Sequence, residues 1–463
     1  MQKKLLFKIL IIIGLMLMIG LPLMMIQATI NERSAYREQA VRSIAADSVG
    51  EQTVYGPVLV LPYTDEYEQM EEGGEDKPRQ LKKYRVQRRH LVFPNQLNVA
   101  GVIGTERRYR GIHQVLVYNG EHKFSGDFVL PSLSELPRAQ AQSSVTPGKP
   151  FLALGVSDVR GVRDIPKILW GQRLLEFEQG SGLAGQRQGL HVPLDMADVT
   201  AGSVKFSFNL GLAGIESQQF VPLAKNNRFT LSSPWPHPQF GGRFLPAQRS
   251  IGERGFEATW RISALSSDAQ QQLRQAELRA QDGSSTTPAG ALVAAGALDA
   301  FSVDFIEPVN IYSMAERATK YGLLFVVLTF AAFFLFEVLK RLPIHPVQYG
   351  LVGLALAIFF LLLVSLSEHM PFLAAYLLAS VACIVLIGFY LGHALGDRRR
   401  GWGFGAALSL LYGILYGLLN SENNALLMGA ILLFAVLAAV MVATRKVDWY
   451  SLAAEPAAEP AAQ

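Results

Sequence analysis

The chain of 463 residues contains a single cysteine, Cys383, and lacks the local motifs of the common enzyme and metal-site classes. It has no HExxH helix, no GxSxG nucleophile turn, no Walker A loop and no cysteine pair at metal-ligand spacing. The large polar segment at 27–320 therefore has no disulfide and must be stable through its own core. These absences predict a non-enzyme with no catalytic residue, no cofactor and no metal ligand.

Six apolar runs dominate the rest of the sequence, at 9–26, 321–339, 347–366, 372–391, 402–419 and 425–443. Each has roughly the 20 residues that a helix needs to cross a bilayer core of about 30 Å. The first run is longer than the apolar core of a secretory signal peptide, so we expect it to remain as an uncleaved anchor. The pattern predicts an integral membrane protein with six transmembrane helices.

Basic residues gather at alternate ends of these runs. They are Lys3, Lys4 and Lys8; Lys340 and Arg341; Arg398, Arg399 and Arg400; and Arg445 and Lys446. The turns at 367–370 and 420–424 contain no lysine or arginine. Because positive loops are retained in the cytoplasm, we expect both termini inside and a large external domain between the first two helices. The predicted organisation is an anchor at 1–26, an external domain at 27–320, a five-helix bundle at 321–446 and a cytoplasmic tail at 447–463.

Alternating apolar and polar residues run through much of 27–320, notably at 204–210, 256–262 and 301–305. This period of two and the frequent glycine and proline residues predict an all-β, sandwich-like fold, in one domain or two. Asn119-Gly120 predicts a hairpin turn. We expect helices at 31–46 and 269–281, and exposed insertions at 65–76 and 266–300. Acidic and basic residues nearly balance in 27–320, so a nucleic-acid partner is not expected.

Four polar residues in or beside the apolar runs invite a functional interpretation: Glu337, Glu368, His369 and Glu422. Glu337 could mark a proton or ion path, but Lys340 and Arg341 follow at helical spacing and favour an ion pair at the membrane edge. Glu368 and Glu422 could sense protons or bind cations, and His369 titrates near neutrality. The simpler interpretation is that each glutamate favours the start of the following helix.

Three further groups are candidate contact sites. The basic run at 77–89 could meet anionic lipid or polymer, or could pair with the acidic segment before it. A rigid aromatic loop could bind a peptide or sugar, or could fill the β core. Gly413 and Gly417 form a small-xxx-small pattern for helix packing, within the bundle or between subunits of a homo-oligomer. The residues of the first two groups are Lys82, Lys83, Arg85, Arg88 and Arg89, and Trp235, His237 and Phe240.

Several ordered segments together resemble the CreD family of bacterial inner-membrane proteins. They include Tyr36-Arg37, Gly56-Pro57, Ser157-Asp158-Val159-Arg160-Gly161, Trp235-Pro236-His237-Pro238, Arg317-Ala318-Thr319-Lys320-Tyr321, His345-Pro346-Val347-Gln348-Tyr349, Leu366-Ser367-Glu368-His369 and Asp448-Trp449-Tyr450-Ser451-Leu452. The resemblance implies a Gram-negative inner membrane, a periplasmic domain and control by a CreBC-type two-component system. It also implies effects on colicin tolerance, the β-lactam response and envelope maintenance. It supplies no catalytic residue.

We therefore expect an envelope-integrity protein that acts by non-catalytic contacts with the lipid bilayer and with envelope proteins. One alternative is a transporter or channel subunit, which would need polar residues deep in the bundle. Another is a membrane sensor that works with a histidine kinase, since the chain shows no cytoplasmic signalling domain of its own.

Overall fold

The computed structural model describes residues 2–71, 80–111, 113–183, 188–200, 202–281, 298–307, 311–340, 344–394, 398–420 and 425–445. The predicted tail at 447–463 and Glu422 lie outside these residues. The chain forms two compact units. We call Met1–Glu38 together with Val309–Gln463 the helical unit, and Gln39–Pro308 the β unit.

Two sheets form the β unit. The first has the strand order β14-β17-β12-β1-β6-β10-β9, with β2 and β5 also paired to β1, and the second has the order β15-β16-β13-β3-β4-β11-β7-β8. The strands are β1 (Gln52–Glu71), β2 (Gln80–Val92), β3 (Gln96–Arg110), β4 (His113–Leu130), β5 (Ser144–Pro147), β6 (Phe151–Val156), β7 (Lys167–Trp170), β8 (Arg173–Glu176), β9 (Glu178–Gln179), β10 (Leu190–Pro193), β11 (Gly202–Ile215), β12 (Ser217–Val221), β13 (Asn226–Ser233), β14 (Pro238–Gly242), β15 (Gln248–Gly252), β16 (Gly255–Ser263) and β17 (Phe301–Phe305).

The sheets pack face to face, as the sandwich prediction requires. One core cluster takes side chains from both sheets, and Trp260 of β16 stacks on Phe301 of β17 with ring centroids 4.5 Å apart. The alternation in β11, β16 and β17 places one apolar face of each strand in this core. The β-rich domain after the first helix is therefore confirmed.

The predicted hairpin at Asn119-Gly120 is wrong, because β4 runs through both residues without a turn. Asn119 pairs with Gly104 of β3, and Gly120 pairs with Leu212 of β11. Gly120 is needed for space rather than for a turn, since a side chain there would overlap the ring of His122. A close approach of this kind explains a glycine inside a strand.

Full exposure of the two predicted insertions is also wrong. Asp65 is completely buried at the start of 65–76. In 266–300, helix α2 (Ala269–Gln281) forms as expected, but Ala269 and Leu273 are buried against the first sheet in a cluster with Leu298. One apolar stripe on an otherwise polar helix is sufficient to hold it on a sheet. Residues 72–79 and 282–297 lie outside the described part of the chain.

The helical unit contains the apolar helices and a short amphipathic helix. They are α1 (Gln2–Asp47), α3 (Ile311–Lys320), α4 (Gly322–Lys340), α5 (Pro346–Ser367), α6 (Phe372–Ala394), α7 (Arg398–Asn420) and α8 (Ala425–Thr444). Of these, α3 is the short amphipathic helix, and α1 continues from the helical unit into the β unit. In the described residues, five stretches are long and apolar enough to cross a membrane: Phe7–Asp47, Ser313–Leu335, Pro346–Ser367, Phe372–His393 and Gly401–Asn420. A sixth apolar stretch, Leu427–Val442, is shorter. These helices agree with a six-helix membrane protein.

Helix α1 is longer than the predicted anchor. It continues for 46 residues, so the expected second helix at 31–46 is its own continuation, with Asp47 as its last residue in the β unit. No described residue between Lys8 and Glu32 is charged. An uncharged stretch of this length is long enough to cross the interior of a bilayer.

Candidate functional site

A charged cluster joins three helices at one end of the helical unit. The ammonium group of Lys8 in α1 forms a salt bridge with Glu337 in α4 and donates a second hydrogen bond to the carbonyl oxygen of Ile344, at 2.7 Å. The hydroxyl of Tyr349 in α5 donates to the other carboxylate oxygen of Glu337, at 2.8 Å. Glu337 is 9% exposed, so its charge is neutralised by neighbours rather than by water.

Glu337 has a partner that the sequence analysis did not name, and its expected pairing with Lys340 and Arg341 stays a prediction. The sequence suggested Lys340 and Arg341, but Lys8 lies 329 positions away in the chain and cannot be found by helical spacing. Arg341 is outside the described residues, and the description of Lys340 stops at its backbone. The cluster has the chemistry of a structural ion pair, because each carboxylate oxygen of Glu337 already accepts a hydrogen bond from another side chain.

A second charge pair lies at the opposite end of the part of α1 that belongs to the helical unit. Arg33 is 3.5 Å from the carboxylate of Glu368, whose side chain is 9% exposed. Glu368 follows the last residue of α5 as its C-cap, whereas α6 begins only at Phe372 after Pro371. The expected role of Glu368 at the start of the next helix is therefore wrong. An anion at a helix C-terminus is unfavourable, and the cation of Arg33 offsets that cost. His369 is exposed, and its Nδ1 is 3.2 Å from the carbonyl oxygen of Ser365.

The two pairs are separated by about 37 Å along α1, at 1.5 Å per residue. A bilayer has a hydrocarbon core of about 30 Å and measures roughly 40–45 Å with its headgroup regions. One pair therefore suits each membrane interface. The pairs also place the α1 N-terminus beside the α4–α5 connection, and Arg33 beside the α5–α6 turn.

Buried serine and threonine hydroxyl groups of the helical unit are satisfied within their own helices. Thr319, Thr329 and Ser380 each donate to the carbonyl oxygen four residues earlier, and Ser367 donates to Val364. Among the described residues, every buried side-chain polar atom without a hydrogen bond belongs to the β unit.

Glycines allow the backbones of α6 and α7 to approach each other closely. A Cβ atom on Gly401 of α7 would lie 2.6 Å from Gly392 Cα and 2.7 Å from the Gly388 carbonyl oxygen, both in α6. The sequence analysis chose a different pair. Gly413 has open space around it, and Gly417 only approaches Met428 of α8, at 3.8 Å. Gly388 and Gly392 have the same small-xxx-small spacing and were missed.

A motif in the β unit closes the end of α1. Arg160 donates hydrogen bonds to the carbonyl oxygens of Ala46 and Ala45, at 2.7 and 3.1 Å. Asp158 holds the guanidinium group, with 2.6 Å between Arg160 Nη2 and Asp158 Oδ2. Helix ends leave four carbonyl groups without intrahelical donors, and an arginine satisfies two of them here.

Gln52 at the start of β1 fixes the same motif. Its side-chain nitrogen donates to the carbonyl oxygens of Asp158, at 2.8 Å, and Ala213, at 3.1 Å. Ser157 donates to the carbonyl oxygen of Glu51 at 2.9 Å and accepts from the amide of Thr53 at 2.9 Å. The end of α1, the first strand and the Ser157–Gly161 segment therefore form one hydrogen-bonded junction.

The candidate basic run is paired with acidic residues. It lies on β2, where Lys83, Arg85 and Arg88 face Glu68, Glu66 and Asp65 of β1, at 3.3, 3.1 and 3.1 Å. Arg89 pairs with Glu277 of α2 at 3.2 Å, and Lys82 lies over the ring of Tyr84. The salt bridges of Lys83, Arg85 and Arg88 agree with the ion-paired hairpin interpretation, whereas Arg89 pairs outside the hairpin.

The aromatic loop fastens neighbouring strands. Trp235 donates to the carbonyl oxygens of Ile306, at 3.0 Å, and His237, at 3.2 Å, while Arg107 lies over its ring. Phe240 packs edge-on against Phe256 and Trp260, at centroid distances of 5.6 and 5.5 Å. His237 is exposed. Two of the three candidate residues therefore contribute to structure, as the core-filling interpretation predicts.

His122 is a buried polar residue that sequence reasoning did not single out. Its ring lies against Gly101 and Gly120, and its Nε2 is 3.1 Å from the amide of Gln218. Burial lowers the pKa of His122 to about 4, although hydrogen bonds with Leu210 and Gln218 act in the opposite direction. The ring is neutral near pH 7. No group of three or more potential metal ligands occurs in the described residues.

Comparisons with known proteins decide the family. Residues 4–450 match the family described as Inner membrane protein CreD. The chain is also 36% identical, over 450 residues, to Inner membrane protein CreD of Escherichia coli (strain K12), covering 97% of this chain and 95% of that protein. The chain belongs to the CreD family. Its place among inner-membrane proteins, which the CreD resemblance implies, is thereby confirmed.

A likeness among solved structures adds nothing to this assignment. An M1 zinc metallopeptidase from Deinococcus radiodurans matches with a TM-score of 0.18 and 9% identity, over 36% of this chain and 38% of that chain. A likeness at this level supports no argument about fold or activity.

Several CreD-like segments named from the sequence fall at the contacts described above. Ser157–Gly161 supplies the α1 cap, Tyr349 contacts Glu337, and Glu368 contacts Arg33. The CreD resemblance thus lies in residues that hold helices and strands together. These contacts fix the two ends of α1 within the helical unit and its last turn within the β unit.

Proposed function

We propose that this CreD-family chain is a non-catalytic membrane scaffold that maintains the cell envelope by carrying the β unit on the periplasmic side of the inner membrane. Its partners would be the lipid bilayer and other envelope proteins. The proposal includes control by a CreBC-type two-component system and a role in colicin tolerance and the β-lactam response. Family membership supports the general role, and the contacts of α1 support the scaffold.

The observation that carries the proposal is the way α1 is held along its length. Lys8 and Arg33 pair with buried carboxylates in the helical unit, and Arg160 caps the last turn in the β unit. Buried pairs of this kind specify an arrangement more than they add stability. A helix that is fixed in both units suits a protein whose task is to hold an external domain on a membrane.

The proposed orientation follows from the basic ends of the helices. Lys8 and the α4–α5 connection share one end of the helical unit, and the sequence adds Lys3, Lys4, Lys340 and Arg341 there. Positive residues are retained in the cytoplasm, so this end and both termini would be cytoplasmic. The Arg33–Glu368 end, from which α1 continues into the β unit, would be periplasmic.

A complementation experiment tests the function. A strain without the gene would be compared with strains expressing the wild type, Arg160→Ala or the exposed control Arg249→Ala, at equal protein levels and under inducing conditions. We expect detergent, β-lactam and colicin phenotypes in the deletion strain, rescue by the wild type and the control, and poor rescue by Arg160→Ala. Unchanged sensitivity in the deletion strain would refute the envelope role.

Flux measurements in reconstituted vesicles test the proposal that the chain is a scaffold and does not transport ions. We expect no protein-dependent flux of protons, sodium or potassium in vesicles that contain the purified chain. Flux that disappeared in Glu337→Gln or Glu368→Gln would overturn the scaffold proposal in favour of a transporter.

A further inference from the structure

A groove of about 470 Å³ lies beside β2 in the β unit. One wall is the end of β2 and the loop that follows, from His90 to Asn95, and the opposite wall is α2 with Gln270 and Arg274. Val129 near the end of β4 and Pro131 just after it add apolar surface, and Lys225 lies in the loop between β12 and β13. The groove therefore combines an apolar floor with polar groups from separate elements, as ligand sites do.

Three basic side chains line this groove, and no carboxylate does. His90 comes from β2, Lys225 from a loop and Arg274 from α2, so three parts of the fold bring basic side chains together. Elsewhere on β2, by contrast, Lys83, Arg85, Arg88 and Arg89 each have a carboxylate partner within 3.3 Å. Among the described residues, none of the groove's three basic groups has a recorded salt bridge.

The fold holds Arg274 in this position. Ala269 and Leu273 are buried against the first sheet, and the side-chain amide of Gln270 donates to the carbonyl oxygen of Leu223, at 2.8 Å. The guanidinium carbon of Arg274 lies 4.8 Å from the centroid of the Phe93 ring. This cation–π contact supports the guanidinium group while leaving its N–H donors for another acceptor.

The pKa shifts in the groove agree with a site that has no negatively charged partner among its lining residues. Burial lowers the pKa of Arg274, and burial followed by the charge of Arg274 lowers the pKa of His90. No acidic residue contributes to either change. Titratable groups whose pKa values are shifted within one groove are candidates for a functional site.

We propose that this groove binds a phosphate-bearing ligand, with Lys225 and Arg274 holding the phosphate and Phe93, Val129 and Pro131 contacting its organic part. Two permanent cations match the charge of a phosphomonoester dianion, and the planar guanidinium group binds two phosphate oxygens at once. Neutral His90 can donate one hydrogen bond from its ring. The site is independent of the envelope role proposed above, and the ligand could be a soluble phosphate ester or a lipid headgroup.

Calorimetric titration of the full-length protein in a zwitterionic detergent tests the site. The probes are phenyl phosphate for a soluble ester and dihexanoyl phosphatidic acid for a lipid headgroup, with benzyl alcohol as the uncharged control. We expect saturable binding of at least one phosphate probe and none of benzyl alcohol. Binding of only one probe identifies the source of the ligand, and no saturable binding of either probe would overturn the proposal.

Single substitutions assign the binding to the groove. Arg274→Gln and Lys225→Gln should each weaken binding at least tenfold, whereas Arg249→Gln, an exposed arginine outside the groove, should leave it unchanged. Unaltered circular dichroism spectra would show that the variants remain folded. Occupancy should also raise the pKa of His90, measurable by histidine hydrogen–deuterium exchange, because the phosphate offsets the charge of Arg274. Equal binding by Arg274→Gln, Lys225→Gln and the wild type would place the ligand elsewhere and refute the site.

Discussion

Arg160 caps helix α1 by donating a hydrogen bond from Nη1 to the carbonyl oxygen of Ala46, at 2.7 Å. The two residues are 114 positions apart, so the contact joins the helix end to a distant loop of the β unit. Asp158 orients the guanidinium group, and it also accepts a hydrogen bond from the backbone of Arg160, at 3.1 Å. The last turn of α1 is therefore fixed by side chains that are themselves held in place.

Removing this cap should loosen the end of α1. In Arg160→Ala we expect faster amide hydrogen exchange at residues 45–53, since two carbonyl groups and the carboxylate of Asp158 lose their partner. Hydrogen exchange followed by mass spectrometry gives the measurement. Arg249→Ala should exchange like the wild type, and equal exchange in both variants would contradict the clamp.

The salt bridge between Lys8 and Glu337 should behave as a buried pair. Lys8→Met or Glu337→Gln alone should destabilise the helical unit by roughly 3 kcal/mol, because each leaves the other group without its partner. The double variant should be more stable than the sum of the single changes predicts. Thermal unfolding in detergent measures all three. The exposed pair of Lys320 and Glu316 is the control, and its coupling should stay below about 1 kcal/mol.

Close packing of α6 on α7 should depend on Gly401 and not on Gly403. A side chain at Gly401 would meet the backbone of Gly388 and Gly392, whereas Gly403 has nothing within 4 Å. Gly401→Leu should therefore destabilise the helical unit by about 1–3 kcal/mol or more. Gly403→Leu serves as a control on the same helix. If both variants unfold at the wild-type temperature in detergent, the described helix contact is wrong.

The β unit should lose stability in acid through His122. The pKa of this residue is lowered from 6.5 to about 4 in the folded chain, so the unfolded chain binds the extra proton first as the pH falls. Stability is therefore full above pH 6.5 and decreases as the pH falls towards 4, by about 3 kcal/mol in total.

Urea unfolding followed by tryptophan fluorescence at pH 7 and pH 4.5 measures this effect. His122→Gln removes the titrating group and should make the difference between the two pH values smaller. His237→Gln, at an exposed position, should keep the wild-type difference. An identical pH dependence in the wild type and His122→Gln would show that other groups control acid stability.

Local patterns were sufficient for much of the fold. Period-two alternation correctly predicted β11, β16 and β17, and helical spacing predicted α2. The apolar runs predicted the membrane helices, because crossing a bilayer demands a long apolar stretch whatever the tertiary structure. The hairpin turn predicted at Asn119-Gly120 is wrong because a close approach in a sheet and a turn both favour glycine. Only the partner strands distinguish the two cases.

The candidate contacts were harder to predict because their partners are far apart in sequence. Lys8 meets Glu337, Arg33 meets Glu368 and Arg160 meets Ala46, and no spacing rule connects any of these pairs. The salt bridges of the β1–β2 hairpin could be predicted from the sequence, since Glu66 and Arg85 lie on neighbouring strands of one hairpin. Gly388 and Gly392 carried a usable signal in their small-xxx-small spacing.

Labelling of single cysteines in intact cells tests the central claim, that the β unit is carried outside the membrane, most directly. Cys383 is buried in α6 and would be replaced by alanine, after which Ser250→Cys in exposed β15 and Asp397→Cys would be introduced one at a time. A small maleimide that crosses the outer membrane but not the inner membrane should label Ser250→Cys in intact cells, and Asp397→Cys only after lysis. Labelling of Asp397→Cys in intact cells, with Ser250→Cys protected until lysis, would contradict the account.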